Sequence, residues 1–218
     1  MNLRLKTALC AARWLGMKEG SREHGEILEV YNGIRPLPRG YAMKKSDPWC
    51  AAFASAVAVM AGAGERYPLE CGCSKIIEGA KKRGIWVEDD AHVPQIGDWL
   101  LYNWEAKASE DDTGAPDHVG VVIGMEKGEI LVVEGNYDNA VKLRRVPLDW
   151  QKIRGFVCPE GEVENMVFHT LEELPEYARA TIEKLTENGS LMGVARDDLG
   201  LSADLVRTLV ILDRLGKL

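Results

Sequence analysis

The sequence has no run of apolar residues long enough to cross a bilayer, which takes about 20 in succession. It is short of positive charge: 27 Lys and Arg stand against 34 Asp and Glu, a net charge of −7. That excludes nucleic acid as the expected main ligand, because phosphate binding needs clustered Lys and Arg. Cysteine is sparse and odd in number, five in all. The close pair Cys71-Gly72-Cys73 has no second Cys or His pair at metal spacing. Reduced thiols are therefore expected, and a structural zinc centre is not. The first ten residues also lack the sustained apolar core of a secretory leader, since Arg13, Lys18 and Glu19 follow too soon. They read as the start of an amphipathic helix in a cytoplasmic protein without membrane insertion.

What is present is enough for a full core, with 46% hydrophobic residues. The stretch that organises the rest is Asp47-Pro48-Trp49-Cys50 and the apolar run Ala51 to Ala61. Asp is a favoured helix N-cap and Pro suits the first helical position. This reading puts Asp47 at the cap and Cys50 in the first turn. The run behind it has almost no polar face, as in a helix buried on all sides. A thiol at the positive end of a helix is biased toward thiolate. Taken alone, Cys50 reads equally well as a small buried hydrophobe. A partner histidine decides between the two.

Further helices are expected over Leu3–Gly16, Glu23–Tyr31 and Ser74–Arg83, with a Pro/Gly loop from Ile34 to Lys45. From Val93 the pattern turns to strands: Trp99–Tyr102, Val119–Ile123, Glu129–Val133, Val141–Val146 and Ile153–Val157. The short connections argue for an antiparallel sheet, hence an α+β fold of N-terminal helices packed on that sheet. Asn103–Asp117 is acidic and reads as a long exposed loop. Pro159–Asn165 is the best boundary, dividing a domain over residues 1–160 from a small all-α module over 166–218. In that module Leu205, Leu209 and Leu212 form one apolar stripe.

Four histidines are present, and His118 directly precedes the strand Val119–Ile123. If the following hairpin is symmetric about Glu126, His118 lies directly opposite Glu134, and Asn136 points to the same face. An imidazole beside a carboxylate and an amide is what a thiol nucleophile needs. One ring nitrogen takes the proton of Cys50 while the other is held in place.

Pro48-Trp49-Cys50-Ala51-Ala52-Phe53, Gly97-Asp98-Trp99, Asp117-His118-Val119-Gly120-Val121-Val122 and Glu134-Gly135-Asn136 resemble, in order and spacing, the motifs of the CHAP domain. That family comprises cysteine- and histidine-dependent amidohydrolases and peptidases related to NlpC-type and papain-like enzymes. The resemblance covers roughly residues 1–158. It implies a papain-like fold in which Cys50 attacks, His118 is the base, and Glu134 and Asn136 orient it. It also implies bacterial peptidoglycan as substrate, cut at an amide bond either between muramic acid and L-Ala or within the peptides. Some CHAP domains carry an aspartate-rich calcium loop ahead of the cysteine. Here Ala42–Asp47 holds a single carboxylate, so neither calcium nor any other cofactor is expected. Trp49, Trp104 and Tyr137 are the candidates for stacking on sugar rings.

The tail loosely resembles the helical C-terminal modules of phage-type lysins, which implies wall attachment or self-association as a homodimer. An endolysin made without a leader would wait in the cytoplasm until another protein opens the membrane. The sequence also admits two other readings: an intracellular papain-like thiol protease or acyltransferase, and a catalytically silent wall-binding module.

Overall fold

The structure is a computed structural model that describes residues 3–89, 91–107, 114–160, 167–193, 198–214 and 216–217. Among them are six α-helices and a six-stranded antiparallel sheet. α1 (Leu3–Arg13) buries Leu5, Ala8, Ala11 and Ala12. α2 (Arg22–Asn32) opens on Ser21, whose side chain accepts the backbone N–H of His24 and so satisfies one of the unpaired donors of the first turn. α3 (Cys50–Met60) is buried from Cys50 through Ala58, as its lack of a polar face requires. α4 (Cys73–Arg83) stops where Gly84 turns left-handed at φ 69° and its N–H returns to Ala80 and Lys81.

The start of α3 differs from expectation. Trp49, not Asp47, occupies the cap position, and it makes no side-chain cap. The Asp47 carboxylate instead accepts from the Lys44 N–H at 2.8 Å and the Tyr41 hydroxyl at 2.9 Å. It closes the turn that delivers the chain to α3. Cys50 is the first helical residue all the same.

The sheet runs β1 (Trp86–Val87), β6 (Ile153–Val157), β2 (Trp99–Tyr102), β3 (His118–Glu126), β4 (Glu129–Glu134) and β5 (Lys142–Pro147) in spatial order. Side-chain alternation divides its two faces. Trp99, Leu101, Val119, Val121, Ile123, Leu131 and Val133 share the main core with α1 and α3. Leu100, Tyr102, Val122, Ile130, Val132 and Phe156 form a smaller cluster on the opposite face. The expected loop Asn103–Asp117 leaves β2 and returns at β3, and its residues 108–113 lie outside the described set.

The tail is not all-α. β7 (Val167–Phe168) pairs with β8 (Leu201–Ser202), flanking α5 (Glu176–Glu187), and α6 (Ala203–Arg214) follows β8 directly. Strands of two residues carry no readable periodicity, which is why the sequence shows only the helices. The stripe of α6 is directed at the main body: Leu205, Leu209 and Leu212 are buried and belong to the main core. α6 packs on α1 and β3, and a side chain at Gly124 in β3 would meet Leu205 Cδ1 at 2.7 Å. The expected boundary runs from residue 161 onward through undescribed positions.

Each large aliphatic side chain buried in this way contributes about 1.5–3 kcal/mol. A chain truncated at Glu160 is accordingly expected to lose thermal stability and to aggregate through the uncovered faces of α1 and β3. Light scattering and a melting curve would show this. A monodisperse fragment with an unchanged melting temperature would contradict it.

Candidate active site

The β3–β4 hairpin decides which residues meet His118. The strands run to Glu126 and Glu129, and the turn consists of Lys127 and Gly128 at φ 51° and 76°. It is not centred on Glu126 as expected. Two central residues at positive φ suit a tight hairpin turn, and Gly at the second reduces the cost.

From this turn Glu126 faces Glu129, and carried through unchanged that register would put Glu134 on the wrong face of the sheet from His118. An irregularity between Val122 and Gly124 shifts the pairing by one residue, so that Val121 faces Val133. Continued along the strands, the same register sets Gly120 across from Glu134, with His118 on Glu134's face but one pair further on. His118 is thus the diagonal neighbour of Glu134, not its direct partner.

Two glycines make the diagonal contact possible. A Cβ at Gly120 would collide with Val132 and lie 2.7 Å from Glu134 Cγ, so the missing side chain leaves room for Glu134 to swing toward His118. A Cβ at Gly135 would come within 2.5 Å of Phe53, so glycine there lets the end of β4 close onto the start of α3. Gly120→Ala is expected to cost about 1–3 kcal/mol by overpacking and to displace the Glu134 carboxylate. Urea unfolding measures the first effect. A fall of the His118 pKa, followed by NMR, measures the second.

Oε2 of Glu134 lies 3.1 Å from Nε2 of His118. Arg144 Nε donates to both carboxylate oxygens, at 2.8 and 3.0 Å, and the Tyr102 hydroxyl donates to Oε1. A fully buried carboxylate with this many donors is compensated for the water it has lost. Burial alone would raise the Glu134 carboxyl, but His118, Arg144 and Tyr102 hold it below the usual range.

Cys50 is within hydrogen-bonding reach of His118, whose Nε2 is the nitrogen beside Glu134. Burial works against the charged imidazole, yet Cys50 and Glu134 on its two sides raise its pKa to about 9. The Cys50 thiol is held far below its usual value. A hydrogen bond from Cys73 has the largest effect, burial opposes it, and His118 and the backbone N–H of Ala51 add to it. The neighbouring thiol of Cys73 moves the other way, well up, because Cys50 beside it is the one that ionises. Cys50 and Cys73 are the first residues of α3 and α4, so two helix N-termini, each with a positive dipole end, meet at one sulfur.

The other sequence candidates separate. Asn136 sits just past β4 in the left-handed region at φ 58°. Its backbone turns the chain, and among the described contacts its side chain does not bond to His118. Trp104 is 37% exposed and stacks on Tyr102 with centroids 4.6 Å apart. The Arg144 guanidinium lies 3.9 Å from the Tyr137 ring and 5.2 Å from that of Trp104. Trp104, Arg144 and Tyr137 thus form a continuous half-exposed edge beside His118. Trp49 is no part of it. Its ring is fully buried against His24 and Phe53, and its Nε1 donates to Glu19 at 2.9 Å. It anchors the start of α3 instead of facing a ligand.

The sequence does not show the parts that three further residues play. Tyr102 is the cross-strand partner of His118, a relation visible only once β2 and β3 are aligned. Arg144 reaches Glu134 from β5, where the run Lys142-Leu143-Arg144-Arg145 reads as a solvated strand. Cys73 was visible as half of Cys71-Gly72-Cys73, and that spacing carries no hint of Cys50.

Together these residues define a thiol–imidazole–carboxylate site at the strand ends of an antiparallel sheet, with the thiol on a buried helix. Residues 9–166 match a family described as an uncharacterized protein conserved in bacteria (DUF2272), and the chain belongs to that family. No curated protein and no solved structure matches it.

Proposed function

We propose that the protein is a peptidoglycan hydrolase of endolysin type, built on a papain-like, CHAP-related arrangement, that cleaves an amide bond of the bacterial cell wall. The bond is either N-acetylmuramoyl–L-alanine or one within the peptides. The observation that carries this reading is the hydrogen-bonded series Cys50–His118–Glu134, with the thiol depressed and the imidazole raised.

The chemistry follows from that charge distribution. The Cys50 thiolate attacks the carbonyl carbon, and the oxyanion forms near the backbone N–H groups that open α3. The His118 imidazolium gives its proton to the leaving amine, so the C–N bond breaks and a thioester remains on Cys50. Water then enters, His118 takes its proton, and attack on the thioester releases a carboxylate and restores the thiolate–imidazolium pair. Glu134 stays ionised throughout and holds the ring. Trp104 and Tyr137 offer faces for sugar rings, and Arg144 offers a cation toward the substrate's carboxylates.

The tail is proposed to assist wall attachment or self-association through surfaces other than the buried α6 stripe. Tyr177 and Met192 are exposed there.

Mass spectrometry of products from purified sacculi tests the proposal. Soluble fragments with new amino termini are expected, and the terminal residue identifies the bond. Intact sacculi after prolonged incubation with enzyme that hydrolyses a small peptide amide would move the site to another amide substrate.

A further inference from the structure

A second group of side chains converges at the opposite end of β2 from Tyr102. His92 lies in the loop after β1, Asp98 immediately precedes β2, and Cys158 immediately follows β6. Because β1, β6 and β2 are neighbours, these segments meet. Cys158 Sγ is 3.3 Å from His92 Nε2, and that same nitrogen is 3.6 Å from Asp98 Oδ2. One ligand atom from each residue falls within 4.8 Å of the other two.

The geometry argues against a second catalytic triad. A relay from thiol through imidazole to carboxylate uses both ring nitrogens, whereas here thiol and carboxylate both face Nε2. One ligand atom from each residue lying within 4.8 Å of the other two is an arrangement that can surround an ion. Zinc bonds of about 2.3 Å to sulfur and about 2.0–2.2 Å to nitrogen and oxygen place tetrahedral ligands roughly 3.3–3.6 Å apart. The two contacts above fit those edges.

We propose that His92, Asp98 and Cys158 bind a thiophilic divalent cation, zinc by preference, which clasps the loop ahead of β2 to the end of β6. The mixed sulfur, nitrogen and oxygen set suits zinc, while calcium and magnesium take oxygen ligands. Three protein ligands leave a fourth position for water.

The surroundings hold the ligands in place. Arg4 donates to the carbonyls of Ile96 and Pro159 and to Oδ1 of Asp98, fixing the chain beside two of the three ligands. The Gln95 N–H donates to Oδ2 at 2.7 Å, which leaves that oxygen a further lone pair. The Phe156 ring lies 5.0 Å from that of His92. When the ion binds, the Cys158 thiol loses its proton to solvent, and the thiolate joins the Asp98 carboxylate, which Arg4 also contacts, in facing the dication. Spacing along the sequence gives no hint of this site, because sheet order, not a local motif, brings position 158 to 92 and 98.

The test is titration of the full-length protein with Co²⁺ followed by absorption, and with Zn²⁺ followed by thermal unfolding. A thiolate-to-cobalt charge-transfer band with tetrahedral visible bands is expected, together with a rise in Tm on adding zinc. Both should persist in Cys50→Ala, which removes the other reactive thiol, and both should be lost in Cys158→Ser and His92→Ala. Asp98 is left intact because it also holds Arg4. A band that survives Cys158→Ser but disappears in Cys50→Ala would place the ion at the other site and overturn the proposal. So would the absence of any band and of any Tm shift under excess metal. Neither readout depends on hydrolytic activity, so this inference and the proposed function stand or fall separately.

Discussion

Cys50→Ala is expected to reduce digestion of sacculi to background while leaving the fold intact. In the proposed mechanism the sulfur forms the covalent bond, and no neighbouring group would replace it. Cys73 is adjacent, but its thiol is pushed well up and stays protonated while Cys50 ionises. Alanine is the least disturbing replacement, because Cys50 is buried at the start of a helix of small residues. In the wild type, iodoacetamide should label Cys50 ahead of Cys10, Cys71, Cys73 and Cys158, and it should do so well below the pH at which an ordinary thiol ionises. Cys10, Cys73 and Cys158 are all raised by their surroundings, Cys158 above the range of ordinary thiols. Peptide mapping after limited alkylation gives the order directly. Normal turnover by Cys50→Ala would end the thiolate mechanism.

His118→Ala is expected to lower the rate about 10²–10⁴-fold, the usual cost of removing a positioned acid–base group. Glu134→Gln should fall between this variant and the wild type, because an amide can still orient the ring but cannot stabilise its charge. The pH dependence separates the two roles. His118 has a folded-state pKa of about 9 against an ordinary 6.5. Its contribution to stability is therefore fully present below about pH 6.5 and is lost as the pH rises through about 9. Hydrolysis should fall over the same alkaline range, since the leaving amine then finds no imidazolium proton. Alkylation of Cys50 should not fall there, because the thiolate persists. In Glu134→Gln the alkaline limb is expected to move to lower pH. A limb that stays near 9 in this variant would remove Glu134 from its assigned role.

Much of the fold is legible because its elements are long and strongly patterned. The apolar run of α3, broken only by Ser55, requires burial on every side, and Gly84 marks the end of α4 by its left-handed backbone. The five strands from Trp99 to Val157 carry β-branched and aromatic residues, which marks an antiparallel sheet; β2 to β5 follow one another across it, whereas β6 returns to pair with β2. β1, β7 and β8, of two residues each, are too short to show a period. Asp47 is a misleading cap, because its side chain finds nearer donors in Lys44 and Tyr41.

By itself the sequence determined that a thiol would stand at the start of a buried helix and a histidine at the start of a strand, with a carboxylate one hairpin away. Helix burial, strand alternation and turn chemistry are local physics, and they suffice for that much. Only the tertiary structure decided how the three meet. The Lys127–Gly128 turn alone would have turned Glu134 away from His118, and the one-residue shift near Ile123 brings it back. Side chains from other strands and helices complete the site: Tyr102 from β2, Arg144 from β5 and Cys73 from α4. The same strand order that joins them also gathers His92, Asp98 and Cys158 at the far end of β2. Such contacts depend on register and sheet order, which are set by packing across the whole molecule and leave no mark in the spacing of residues along the chain.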